Sequence, residues 1–104
     1  MRAKIFAEIS AERDRQDVIH PGTTQIPDGT GGGGYETREA IAKHSCDRAT
    51  REGRLTHAHV FEEEAAEVMA ATDPVKLRKE LIQVAAVAVK WVEELDRRAR
   101  EGVM

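Results

Sequence analysis

The sequence predicts an all-α protein, a helical bundle of about four helices, on three observations. Apolar residues recur every three or four positions in the N-terminal stretch and through the C-terminal third. Helix breakers gather at a few points: the prolines are Pro21, Pro27 and Pro74, and most of the glycines precede position 35. Helix-start signals, Thr56 and Asp73-Pro74, stand before the last two periodic stretches.

Taken in order, Ile5, Phe6 and Ile9 have helical spacing and nothing from about Arg2 to Asp17 breaks a helix, so the first helix is placed there. Residues 18–34 carry two prolines and the run Gly31-Gly32-Gly33-Gly34, and are read as a long loop, a connector or a mobile cover. The glycine run lacks the Gly-Lys-Ser/Thr ending of a P-loop and joins no strand to a helix, which argues against a phosphate cradle. A second helix is expected over about Thr37–Glu52, closed by Gly53. Thr56 caps a third helix reaching about Ala71, and Asp73-Pro74 opens a fourth that runs to about Arg100.

The fourth helix has two apolar stripes. At about 100° per residue Leu77, Leu81, Val84, Ala88, Trp91 and Leu95 form a coiled-coil-like seam. Ile82, Ala85, Ala86, Val89 and Val92 lie beside it and widen the apolar arc to roughly 200°. A 104-residue chain is one domain, residues 1–104, near the lower size limit for a self-sufficient core. The wide arc therefore predicts a homo-oligomer, a dimer or tetramer, assembled through this helix.

Composition narrows the function. The chain is 40% hydrophobic but only 4% aromatic, so its core is built from small side chains. Its 16 basic and 19 acidic residues give a net charge of −3, which provides no bulk attraction to nucleic acid or an anionic membrane. Cys46 is the single cysteine and has no partner at zinc-site spacing. The N-terminal stretch is too polar for a signal-peptide core, and no run approaches the roughly 18 apolar residues of a membrane span. A cytoplasmic protein is expected.

The third helix carries the chemical signal. Val60, Phe61, Val68 and Ala71 define its apolar face, yet Glu64 and Glu67 fall within that face and Glu63 at its edge. The opposite side, expected to be wet, carries Ala66 and Ala70 with Glu62 and His59. Burying an unpaired carboxylate costs several kcal/mol, so Glu64 and Glu67 call for cations or a wet cleft. Glu80 borders the apolar arc of the fourth helix with Gln83 one turn on, and two such pairs on facing helices enclose an oxygen-lined site. Oxygen ligands select Mg²⁺ or Mn²⁺ over Zn²⁺; neutralisation by Arg or Lys is the structural alternative.

These residues resemble those of the MazG-type nucleoside triphosphate pyrophosphohydrolases, of the all-α NTP pyrophosphatase superfamily. Glu63-Glu64-Ala65-Ala66-Glu67 matches the family's Glu-Glu-x-x-Glu, and Glu80-Leu81-Ile82-Gln83 matches its Glu-x-x-Asp except at the last position. Glu12-Arg13-Asp14-Arg15-Gln16 is similar to a stretch found early in short MazG-like proteins encoded by phages. The resemblance implies an oligomeric helical fold and Mg²⁺-dependent cleavage of an NTP or dNTP to the monophosphate and pyrophosphate. It implies Glu64, Glu67, Glu80 and Gln83 as metal ligands, Gln83 supplying a neutral amide where the family has a charged aspartate. Glu63 is the candidate to orient or deprotonate water, with a structural salt bridge as its alternative role.

Arg13, Arg15 and Lys79 are candidates for phosphate contacts, with Gln16 beside them on the inward-prolonged face of the first helix. His57 points toward the carboxylate face, for the pocket or for packing, while His59 lies about 200° away from it. Trp91 belongs to the seam as a core residue. Two other readings stand beside hydrolysis, both open to the same fold: a nucleotide-sequestering protein, suggested by Gln83, and a helical interaction module.

Overall fold

The computed structural model describes residues 2–22 and 26–102. It is all-helical: α1 spans Arg2–Ile19, α2 Tyr35–Arg51, α3 His57–Ala70 and α4 Pro74–Glu101. No strand occurs among the described residues, and no helix there is long and apolar enough to cross a membrane. Helix α1 takes Val18 and Ile19 from the expected loop, and α2 starts two residues early. The middle of that loop, residues 23–25, lies outside the described residues.

The chain forms two compact units, one comprising residues up to Asp28 together with those from Val92 onward, the other Gly29–Trp91. Helix α4 contributes to both. In the first unit Ile5 is buried and Arg2 pairs with Glu93 at 3.4 Å. Phe6 is 53% exposed and Ile9 is exposed as well, as are Glu12, Arg13 and Gln16. The expected inward prolongation of this face is therefore corrected: α1 has one buried apolar position and a charged sequence around it.

In the second unit α2 packs on α3. Cys46 and Ala49 are the buried residues of α2. The predicted α3 cap forms, with the Thr56 hydroxyl accepting from the His59 N–H at 3.2 Å, while His59 Nδ1 accepts from the Thr56 N–H at 3.1 Å. His59 is thus a capping residue. Asp73 caps α4 by accepting from the Lys76 N–H at 2.8 Å. Gly53, at φ 69°, closes α2 as the N–H of Arg54 reaches back to the Ala49 carbonyl at 2.9 Å.

The solvent side of α3 is narrower than expected. Ala58, Glu62 and Met69 are exposed, but Ala66, Ala70 and His59 are half-buried. The alanine side that the sequence marks as wet is therefore partly covered.

The loop that precedes α2 is anchored at its end. Gly31 donates its N–H to the Met69 carbonyl at 2.8 Å. Its φ is +80°, and a Cβ there would lie 3.3 Å from the Ala71 carbonyl oxygen. Gly31→Ala should therefore destabilise the fold by about 1–2 kcal/mol, from left-handed strain and a crowded Cβ. Urea denaturation reads this directly, and an unchanged midpoint would show that the segment yields without cost.

Along α4, Leu77, Glu80 and Val89 are buried. Leu81 remains 46% and Ile82 57% exposed. Within one chain, part of the wide apolar arc therefore stays open to solvent.

Candidate metal centre

Helix α3 presents Glu64 and Glu67 one turn apart, and α4 presents Glu80 opposite them. One carboxylate oxygen from each lies within 4.8 Å of the others. Glu80 is only 7% exposed, and Glu64 and Glu67 are half-buried. Glu64 Oε2 and Glu80 Oε2 are buried without a hydrogen-bond donor. No cation of the described ion pairs reaches this trio.

Three carboxyls at this separation cannot all stay ionised without a compensating charge. Burial, followed by a hydrogen bond with Glu80 and by the charges of Glu64, Glu80 and Glu63, raises the Glu67 carboxyl to about 7. Burial, and then the charge of Glu80, raises Glu64 as well. A proton on Glu67 relieves part of the repulsion, but as a single donor it can serve only one of the two orphaned oxygens. A hard divalent cation would satisfy them, and the all-oxygen donor set fits Mg²⁺ or Mn²⁺.

The remaining residues named from the sequence fall elsewhere. Glu63 accepts a hydrogen bond from the Cys46 thiol of α2, and this bond, with burial and the Glu63 charge, pushes the thiol up to about 11. Cys46 is therefore a poor nucleophile that ties Glu63 to the α2 side. Gln83 is exposed and lines an open hollow on α4 with Pro74, Val75, Arg78, Lys79 and Ile82. Lys79 thus stands in that hollow beside Gln83.

Arg13 donates to the Gln16 side chain at 3.0 Å and pairs with Asp17 at 3.0 Å. Arg15 pairs with Glu12 at 2.5 Å, which raises the Arg15 guanidinium and lowers the Glu12 carboxyl. All five residues are exposed, so these are intrahelical surface pairs in the unit that contains α1.

His57 stacks on Trp91, with ring centroids 5.7 Å apart and planes 15° from parallel. Phe61 meets the same indole at 6.1 Å and a tilt of 59°. Spacing along α3 puts His57, Phe61 and Glu64 on one face, but only the antiparallel pairing with α4 brings Trp91 to them. The Cys46–Glu63 link had no sequence signal, because it depends on how α2 is set against α3.

Fold and site together define an all-helical protein with a three-carboxylate centre that could hold a divalent cation. Comparison with protein-family models, curated proteins and solved structures finds no match.

Proposed function

We propose that this protein binds a divalent cation through Glu64, Glu67 and Glu80 and hydrolyses a nucleoside or deoxynucleoside triphosphate to the monophosphate and pyrophosphate. One observation carries the reading: three carboxylates converge within 4.8 Å, two of them with buried oxygens that no protein donor reaches. The resemblance of the glutamate spacing to the MazG type supplies the reaction class. Bound Mg²⁺ would supply the charge that polarises a phosphoryl oxygen and lowers the pKa of a water. Glu64, Glu67 and Glu80 hold the cation, and Glu67 must release its proton to do so. The decisive assay is Mg²⁺- or Mn²⁺-dependent pyrophosphate release over NTPs and dNTPs. No release with any of them removes the hydrolase reading.

A second reading, sequestration without turnover, is favoured by the placement of two residues. Gln83 brings no charge and lies in an exposed hollow, and Glu63 is held by Cys46. Gln83→Asp separates the two: a fourth carboxylate one turn from Glu80 should tighten Mn²⁺ binding and raise or create turnover. Weaker Mn²⁺ binding in this variant would mean that position 83 does not serve the centre.

The open apolar arc of α4 supports assembly as a dimer or larger homo-oligomer. Leu81→Glu should then lower the mass measured by light scattering at micromolar concentration. A monomeric wild type would remove that part of the proposal.

A further inference from the structure

The half-buried ring cluster at the other end of the α3–α4 seam has no part in holding a cation. His57, Phe61 and Trp91 gather there, and none of the three is closed off from solvent. Each of the three is half-buried, so part of its ring surface stays open to solvent although the rings also pack on one another. The chain has two Phe, one Tyr and one Trp, and two of these four aromatics meet at this point.

Position relative to the carboxylates gives the cluster its meaning. At about 1.5 Å per residue, His57 stands about 10 Å along α3 from Glu64, and Trp91 about 16 Å along α4 from Glu80. Phe61 lies between, one turn from Glu64. An antiparallel pair of helices thus offers π-faces at one end of a seam and an oxygen-lined cation centre at the other. That separation matches the reach of a nucleoside triphosphate from its base to its outer phosphates.

We infer that His57, Phe61 and Trp91 form a stacking subsite for the nucleobase of the triphosphate whose metal-bound phosphates lie at Glu64, Glu67 and Glu80. The inference rests on the proposed nucleotide reading for the identity of the ligand. Near-parallel and tilted contacts are the arrangements aromatic rings favour, and the solvent-facing part of the cluster would take a flat base in the same way. Stacking on a π-face is tolerant of base identity, so the subsite selects nucleotides over pyrophosphate or sugar phosphates and discriminates weakly among bases.

Trp91 is the single tryptophan of the chain, so its emission reports the subsite directly. In Mn²⁺, a deoxynucleoside α,β-imidotriphosphate should quench Trp91 and bind more tightly than inorganic pyrophosphate, which should leave the emission unchanged. His57→Ala should weaken imidotriphosphate binding about five-fold or more, the lower end for loss of one stacking partner, and leave Mn²⁺ affinity as in wild type. Phe61→Leu retains apolar volume and should weaken nucleotide binding in the same direction, which covers the case of a poorly folded His57→Ala.

Equal affinity for pyrophosphate and imidotriphosphate with unmoved Trp91 emission, in a protein that binds Mn²⁺, would overturn the subsite and leave the metal centre standing. The reverse pattern, quenching by a deoxynucleoside monophosphate in EDTA with no Mn²⁺ binding by calorimetry, would sink the metal centre and uphold the stacking subsite. Emission that changes on dilution of the protein but not on addition of nucleotide would show the rings to be covered by a second copy, and the inference would fail.

Discussion

Glu80→Gln should raise the melting temperature of the protein in EDTA and abolish its stabilisation by Mn²⁺. The first effect follows from the neighbours of Glu80. Its carboxylate is buried with an oxygen that has no donor, and its charge raises both Glu64 and Glu67. A glutamine of the same shape removes that repulsion, and its amide can donate to an orphaned oxygen, a gain of about 1–3 kcal/mol. For a domain of this size each kcal/mol corresponds to about 4–8 °C.

The second effect has the opposite sign. A ligand that binds only the folded state at about 100 times its dissociation constant stabilises by about 2.7 kcal/mol, so wild type should gain more than about 10 °C in Mn²⁺. The variant should gain almost nothing and should lose pyrophosphate release. A Glu80→Gln protein that melts lower in EDTA yet still responds to Mn²⁺ would show that Glu80 is held by packing and that the cation sits elsewhere.

The stability of the metal-free protein should depend on pH in a way that saturating metal removes. Glu67 is raised to about 7 in the fold from an ordinary value of 4.5, so between these the folded chain holds more protons than the unfolded chain. Stability from this group is complete below the lower value and is lost as pH rises through the upper one. Glu64, also raised, adds the same sign.

Half-buried Glu94 works oppositely. Its hydrogen bond with Arg97 holds it down at about 2, so its contribution is lost only in strong acid. The metal-free melting temperature should therefore fall from about pH 5 to about pH 7.5. The trio is partly wet, and even about 1 kcal/mol surviving solvent screening is a fall of about 4–8 °C. In saturating Mn²⁺ the fall should vanish, while Mn²⁺ affinity should weaken as the pH drops below 7 because protons compete for Glu67. A flat metal-free profile over this window would mean that the three carboxyls do not share a site in solution.

The sites of helix formation were legible because their signals are local. Thr56 and Asp73 act as caps because a side-chain oxygen three residues from an amide satisfies it whatever the rest of the chain does. The pairing of Glu64 with Glu67 was legible for the same reason, since a three-residue step fixes their angular separation. That Glu80 would come to these two was read from burial cost, since carboxylates on an apolar face need compensation and the facing helix offered a carboxylate in a similar position; the three do converge.

The surroundings of other residues were not legible, because a helical wheel gives angles within one helix and says nothing of the neighbours. Ala66 and Ala70 looked wet and are half-buried. Glu63, one step from Glu64 and so about 100° around α3, turns to Cys46. Arg13 and Arg15 looked free for phosphate and are engaged by acids on their own helix.

By itself, then, the sequence determined that the chain is helical, where its helices are capped, and that Glu64 and Glu67 share a face that water should not own. Only the tertiary structure decided that α2 packs on α3, that α4 runs antiparallel to deliver both Glu80 and Trp91, and that the Cys46 thiol meets Glu63. The physical reason is range. Backbone periodicity and caps act over three or four residues, whereas burial and the repulsion that makes a cation site are set by helices that meet across tens of residues of chain.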